Sequence, residues 1–187
     1  EHPYEFARPE QDRQPFWIYD FGLRAAAQPG PGKQGPVKEL FEDALIALWD
    51  GRTEDDGCNA LVLAAQLSWR QVVVLRAYAR YLRQAGTTFS QDYIARVLRS
   101  NVTITRLLVA LFESRFDPQR TSGEPERSEA ISEEIRGELD EVASLDQDRI
   151  LRSYLALIEA TLRTNYYQRG AGPVPGPEAP YLVIKLD

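Results

Sequence analysis

SWRQVVVLRAYARYLRQAG, residues 68–86, is the clearest helical pattern in the chain and decides its fold class. Ser68 and Gln71 have the spacing of a capping box, in which each side chain bonds the backbone N–H of the other residue. Gly86 suits the end of the helix because glycine adopts the left-handed conformation without steric cost. The stretch therefore predicts one long helix between Ser68 and Gly86.

Two faces of this helix differ in character. The residues predicted to be buried recur every three or four positions, and they are Val74, Leu75, Tyr78, Tyr81 and Leu82. Another face carries Arg76, Arg80 and Arg83. Arginine mostly stays exposed unless it is paired, so we expect this arginine stripe to be solvated. The alternative is a docking face for an acidic partner surface.

Composition sets limits on the class of protein. The chain has 187 residues, which suffice for one core of ordinary size. Its net charge of −6 argues against generic attraction to nucleic acid or to an anionic membrane. The single cysteine, Cys58, cannot form an internal disulfide and is predicted to be buried, which fits a reducing compartment such as the cytoplasm. No run of 18 apolar residues occurs, so the sequence predicts no transmembrane helix.

The pattern along the chain predicts a mainly α fold, a bundle of about six or seven helices with a short N-terminal β-hairpin and a C-terminal strand fragment. The predicted helices span residues 36–50, 59–66, 68–86, 90–98, 102–116, 126–143 and 146–168. The predicted strands span residues 2–6, 16–23 and 181–187. Pro- and Gly-rich linkers are expected at residues 25–35 and 170–180. Because the chain contains no methionine, we expect it to be a piece of a longer protein.

Several stretches suggest chemistry but lack the residues or the spacing that it requires. GPGKQG at residues 30–35 lacks the spacing of a phosphate-binding loop. The acidic turn, residues 53–56, lacks the alternate ligands of a calcium loop and is predicted to be a solvated helix N-terminus. Residues 90–108 superficially suggest a helix-turn-helix, but the second helix continues as a core-like apolar run. The lone histidine, His2, offers no metal or catalytic partner.

The longest patterns resemble a known family, the large bacterial NAD-specific glutamate dehydrogenases. The resemblance rests on ALWDGRTEDDGCNALVLAAQLSWR (47–70), the run from Trp69 to Asn101, LLVALFESRFDP (107–118) and DRILRSYLALIEATLRTNYYQ (148–168). It implies a helical region between N-terminal regulatory domains of the ACT-like type and the catalytic domain. PYEF and FWIYDFGL then resemble the last strands of an ACT-like domain.

The resemblance implies a division of the chain into four parts. Residues 1–24 are the strand pair, 25–35 a linker, 36–168 the helical domain, and 169–187 a linker and strand that lead into a catalytic domain. The implied parent reaction is oxidative deamination of L-glutamate to 2-oxoglutarate and ammonium with reduction of NAD. The family's catalytic and NAD-binding residues would then lie beyond Asp187, so no catalytic, cofactor-binding or metal residue is assigned here.

An accessory role remains for this segment, as scaffold, oligomerisation element or regulator. The residues that carry it match the family pattern or belong to the arginine stripe, and they are Asn59, Trp69, Arg70, Arg76, Tyr78, Arg80, Tyr81, Arg83 and Gln84. In the structural interpretation, Trp69 and the tyrosines pack in the core, Asn59 caps a helix and Arg70 pairs with the acidic turn. Their functional interpretation is an interface toward the catalytic and ACT-like domains of the same chain or toward another subunit of a homo-oligomer. The rival functions are a stand-alone effector- or protein-binding module, with a concave pocket lined by Trp69 and the tyrosines, and a DNA-binding regulator.

Overall fold

The computed structural model describes residues 4–6, 16–18, 34–119, 124–168 and 181–187. Within them, seven α-helices confirm the mainly α prediction. They are α1 (Gln34–Trp49), α2 (Leu61–Ala64), α3 (Trp69–Gln84), α4 (Gln91–Ser100), α5 (Val102–Phe116), α6 (Glu124–Asp140) and α7 (Leu145–Glu159). A 3-10 helix, Gly57–Ala60, precedes α2. The strands are β1 (Tyr4–Phe6), β2 (Phe16–Ile18), β3 (Thr161–Thr164) and β4 (Ile184–Leu186).

Helix α3 begins and ends where its sequence signals lie. The Ser68 hydroxyl accepts a hydrogen bond from the Gln71 backbone N–H, and the Gln71 side chain accepts one from the Ser68 N–H, which completes the predicted capping box. Gly86 follows the helix with a φ of +91°, in the left-handed region that glycine tolerates. Val74, Leu75 and Tyr78 are buried as predicted. Tyr81 is not, since 42% of its surface is exposed.

The core is centred on three aromatic side chains from three helices. Tyr78 of α3 meets Phe112 of α5 and Tyr154 of α7 edge to face, with ring centroids 6.3 Å apart in both pairs. All three rings are essentially inaccessible to solvent. Burying aromatic side chains of this size is a large part of the stabilisation of a small domain. Helices α3, α5 and α7 therefore form the centre of the bundle.

Helices α4 and α5 follow the sequence closely. Ser90 caps α4 by accepting from the Tyr93 N–H, and α5 has the predicted bounds. Asn101 occupies the N-cap position of α5, but its side chain donates instead to the Val97 carbonyl and to Gln147 of α7. In the stretch proposed for reading DNA, Ile104 and Thr105 are fully packed in the core.

Helix α1 leaves part of its apolar surface exposed. Leu40, Phe41, Ala44 and Leu48 are half-buried, and Ala47 is buried. Leu45 and Ile46 are about half exposed, and Trp49 is 89% exposed. The apolar stripe of α1 is thus wider than the surface of α2 and α3 against which it packs.

The end of α7 is the main correction to the predicted fold. The helix was predicted to run to Gln168, but it ends at Glu159. Residues Thr161–Thr164 form β3, which pairs antiparallel with β4. The pairing replaces helical hydrogen bonds with inter-strand ones, a long-range contact that local propensity does not reveal. The predicted C-terminal strand fragment is therefore one strand of a two-stranded ribbon.

Two further pairs of elements run antiparallel. Ion pairs join Arg136 to Glu159 and Arg152 to Asp140, so α6 and α7 run antiparallel across their short connection. Strands β1 and β2 pair antiparallel, with Tyr4 opposite Ile18, which confirms the N-terminal hairpin. Nearly all of the 25–35 linker and all of the 170–180 linker lie outside the described residues. None of the described helices is long and apolar enough to cross a membrane.

Candidate functional site

The arginine stripe of α3 is divided by burial, and Arg76 is its buried member. Only 3% of Arg76 is exposed, which corrects the expectation of a solvated side chain. Its guanidinium donates from Nε to Asp56 Oδ2 at 2.7 Å and from Nη2 to Asp56 Oδ1 at 2.9 Å. Two parallel charge-assisted bonds of this kind are among the strongest polar contacts in proteins. Arg76 thus occupies the place predicted for Arg70, beside the acidic turn.

The remaining donors of Arg76 reach other parts of the same turn. Nη1 donates to Thr53 Oγ1 at 2.9 Å, and Nη2 donates to Asn59 Oδ1 at 2.8 Å. Asn59 in turn donates from Nδ2 to the Glu54 carbonyl oxygen at 2.8 Å. Asn59 is therefore not a helix cap, as had been predicted, but a link between Arg76 and the turn. Arg76 thus contacts the turn, residues 53–59, at three of its side chains and holds it against α3.

Asp56 has two tasks in this cluster. Its carboxylate accepts from the Cys58 backbone N–H at 2.9 Å and so caps the 3-10 helix. Burial by itself raises the pKa of Asp56, but the hydrogen bonds and charge of Arg76 and the Cys58 N–H outweigh it and hold the pKa below its usual value of 3.8. The acidic turn was predicted to be a solvated helix N-terminus, and only its Glu54 and Asp55 are exposed.

Cys58 is buried, as predicted. Burial, with a smaller contribution from the charge of Asp56, raises the pKa of its thiol to about 12. The thiol is therefore protonated at neutral pH and is a poor nucleophile. This supports the interpretation of Cys58 as a packed side chain rather than a reactive one.

The exposed part of α3 borders a groove of about 800 Å³. The groove lies between α3, the turn at residues 51–54 and the C-terminal segment 181–187. Tyr78, Arg80, Tyr81 and Gln84 line it, and Arg80 forms an exposed ion pair with Glu54. Four of the predicted interface residues are therefore brought together with Arg76 at its wall.

The other predicted residues lie apart from this groove. Trp69 stacks against Arg52, whose guanidinium carbon is 5.1 Å from the ring centroid. Arg70 donates to the Tyr166 carbonyl oxygen at 2.5 Å and lies over the Tyr166 ring. Arg83 is exposed at a neighbouring cleft of about 640 Å³. The pocket predicted to be lined by Trp69 and the tyrosines thus contains tyrosines but not Trp69.

Sequence reasoning missed a second buried polar cluster, around Tyr78. The Tyr78 hydroxyl shares a hydrogen bond of 2.7 Å with Oγ1 of Thr161, a residue that was predicted to lie on a helix. Tyr154 donates to the Leu75 carbonyl oxygen at 2.9 Å. Arg115 Nη2 donates to the Glu159 carbonyl oxygen at 2.9 Å and so covers the end of α7. The sequence offered one signal: Tyr78 and Tyr154 lie on apolar helix faces, and buried tyrosine hydroxyl groups need a polar partner.

The chemistry of these clusters is that of structural contacts. The ionisable groups at the centre are already paired, and no group of three metal-ligating side chains occurs among the described residues. The site can fix the turn against α3, and its groove can accept a further molecule or domain.

Comparison with known proteins gives two family models that match consecutive parts of the chain. Residues 53–118 match the model described as glutamate dehydrogenase, helical motif 3. Residues 134–187 match the model described as bacterial NAD-glutamate dehydrogenase, catalytic domain. The second match begins within α6, so it includes α7 and the β3–β4 ribbon. The predicted domain limits remain a prediction.

Whole-chain comparison finds relatives named NAD-specific glutamate dehydrogenase. The protein of Halomonas elongata is 45% identical over the whole chain, that of Mycobacterium tuberculosis 42% identical over 89% of it, and that of Pseudomonas aeruginosa 43% identical over 90% of it. The chain spans only 10–11% of the length of these relatives. No solved structure matches.

Proposed function

Because this chain belongs to the family of the large bacterial NAD-specific glutamate dehydrogenases, we propose that it is a non-catalytic helical segment that positions or regulates the catalytic part of such an enzyme. The parent reaction would be oxidative deamination of L-glutamate to 2-oxoglutarate and ammonium, with transfer of a hydride to NAD. Such an enzyme would act in the cytoplasm.

The observation that carries this proposal is the shared core of the two matched parts. Tyr78 belongs to the part similar to the helical motif, and Thr161 belongs to the part similar to the catalytic domain. Their hydroxyl groups are 2.7 Å apart in a fully buried contact. Arg115 makes a second connection, to the end of α7. Contacts of this kind support a fixed joint rather than a flexible tether between the two parts.

The C-terminal segment extends this joint. The Asp187 N–H donates to the Ala160 carbonyl oxygen at 3.0 Å, and Asn165 holds the segment through hydrogen bonds to Tyr181 and Val183. A chain that continued beyond residue 187 would therefore leave the helical bundle in a defined direction. This supports positioning of the rest of the catalytic domain, with that domain and preceding ACT-like domains as intramolecular partners and a homo-oligomer as the assembly.

The test measures glutamate-dependent formation of NADH by absorbance for two purified polypeptides. One is the 187-residue chain, and the other is the complete natural polypeptide that contains it. We expect activity only in the complete polypeptide. Activity in the 187-residue chain would overturn the non-catalytic role, and a folded complete polypeptide without activity would overturn the parent reaction.

A second candidate function is a stand-alone effector- or protein-binding module. The groove beside Tyr81 and Gln84 favours it, because both side chains are exposed at a concave surface. This candidate expects the 187-residue chain to be stabilised by a ligand of the groove, and Tyr81→Ala to abolish that stabilisation. The dehydrogenase proposal carries no such requirement.

A further inference from the structure

We propose that a second cleft, between α5, α6 and β3, binds a small organic anion bearing a carboxylate or phosphate group, with Arg163 as its principal contact. The cleft has a volume of about 930 Å³, and its wall combines three arginines with hydroxyl groups. The polar residues that line it include Arg115, Ser128, Ser132, Arg136, Glu159 and Arg163. This site differs from the groove beside Tyr81, and the proposal adds a ligand to the positioning role.

The local charge of this cleft is opposite to that of the chain. Three arginines line it against two glutamates, in a protein with a net charge of −6. The carboxylate of Glu159 already lies 2.7 Å from Arg136 Nη2. A basic cleft on an acidic protein concentrates anions locally and repels the cationic alternatives.

Among the described residues, Arg163 has no partner that would explain its position. It lies exposed on β3, and its guanidinium finds no carboxylate or hydrogen-bond acceptor in the described part of the chain. Arg136 and Arg115, by contrast, donate to Glu159 and to carbonyl oxygens at the end of α7. The cleft thus holds two anchored guanidinium groups and one that is available to a ligand.

The strand pairing supplies an independent observation. Arg163 lies directly opposite Lys185 in the antiparallel register of β3 and β4. Directly opposite residues project from the same face, and like charges in this arrangement destabilise a ribbon. Lys185 does not itself line the cleft, but an anion bound at Arg163 would reduce that repulsion.

The wall chemistry defines the class of ligand. A guanidinium such as that of Arg163 presents two parallel N–H donors that fit a carboxylate or a phosphate. The hydroxyl group of Ser132 can donate to a further oxygen of the same ligand, whereas that of Ser128 already shares a hydrogen bond of 2.8 Å with Ser114. A cleft of this volume accepts an organic acid or a nucleoside monophosphate.

Isothermal titration calorimetry of the 187-residue chain tests the proposal, with citrate and AMP as separate probes. Potassium chloride at matched ionic strength is the control for general screening. We expect saturable binding of one probe at a stoichiometry of one, with citrate alone indicating a carboxylate site and AMP alone a phosphate site. Arg163→Gln should weaken the Kd about tenfold or more, the effect of losing one charge-assisted contact. Lys185→Gln should weaken it less.

The matched control is Arg149→Gln, which removes an exposed arginine near the opposite end of α7 and should leave the Kd unchanged. Absence of saturable binding by either probe would overturn the proposal. Equal Kd values in Arg163→Gln and Arg149→Gln would overturn it as well. Neither result depends on dehydrogenase activity, so failure here is distinct from failure of the proposed function.

Discussion

Arg76 and Tyr78 lie two residues apart on α3, yet they stabilise the fold in different ways. Both are buried, but Arg76 is a charge paired with Asp56 and Tyr78 is neutral and bonded to Thr161. The charged contact spans 20 residues and fixes a turn, whereas the neutral one spans 83 residues and joins two parts of the chain. The stronger, charged contact therefore fixes only a turn, and the weaker, neutral contact joins the larger parts of the chain.

The largest effect is expected from removing the charge of the first contact. Arg76→Ala leaves the Asp56 carboxylate in a partly buried position without its partner, a change that typically costs about 3–5 kcal/mol of unfolding free energy. Urea denaturation of the 187-residue chain measures the loss. Arg83→Ala on the same helix is exposed and should change stability by less than about 0.5 kcal/mol. Similar losses in the two variants would contradict the role of burial.

Asp56→Asn sharpens the comparison through its dependence on pH. The pKa of Asp56 is lowered in the folded protein, so its ionised form adds stability above the ordinary value of 3.8. That stability is lost as the pH falls through the folded pKa. The difference in urea midpoint between the native chain and Asp56→Asn should therefore be largest near neutral pH and shrink below pH 3.8. A difference that stays constant down to acid pH would disprove the linkage.

A smaller effect is expected at the second contact. Tyr78→Phe removes one hydroxyl but keeps the ring, and Thr161 Oγ1 retains its hydrogen bond to the Leu157 carbonyl oxygen. The expected loss is about 1 kcal/mol, the usual net contribution of one buried hydrogen bond. Tyr93→Phe, at a half-buried ring on α4, is the control and should be close to neutral. A loss as large as that of Arg76→Ala would overturn the ranking.

The smallest effect belongs to the exposed neighbour of Arg76. Arg80 pairs with Glu54 at the surface, where solvent screens the attraction. Arg80→Ala should cost less than about 1 kcal/mol, and the cost should fall further in 0.5 M salt. Thermal unfolding at two salt concentrations gives the comparison. A salt-independent loss would instead indicate that the aliphatic stem of Arg80 contributes by packing.

The sequence predicted the elements whose signals are local. The capping box of Ser68 and the cap of Ser90 lie within three residues of their partners, and α5 ends before a proline at the predicted position. Arg76 was misjudged because its burial depends on a turn that folds back from 20 residues away. The helix propensity of the residues around Arg76 cannot reveal a contact with a turn 20 residues away.

The same limit explains the error after Glu159. LRTNYYQ continues a helical pattern, and only pairing with residues 184–186 makes 161–164 a strand. Of the candidate site, Tyr78, Arg80, Tyr81 and Gln84 line one groove because they share one helix. Their neighbours Tyr181 and Leu182 could not be foreseen, because they arrive from the far end of the chain.

Cys58 can report how often the folded chain opens locally. It is the single thiol of the sequence, it is buried next to the capped turn, and its pKa of about 12 suppresses the thiolate. An alkylating reagent can then modify the protein only when the turn detaches from α3. The rate of labelling, followed by intact mass, would report the frequency of that excursion at one defined position without any engineered probe.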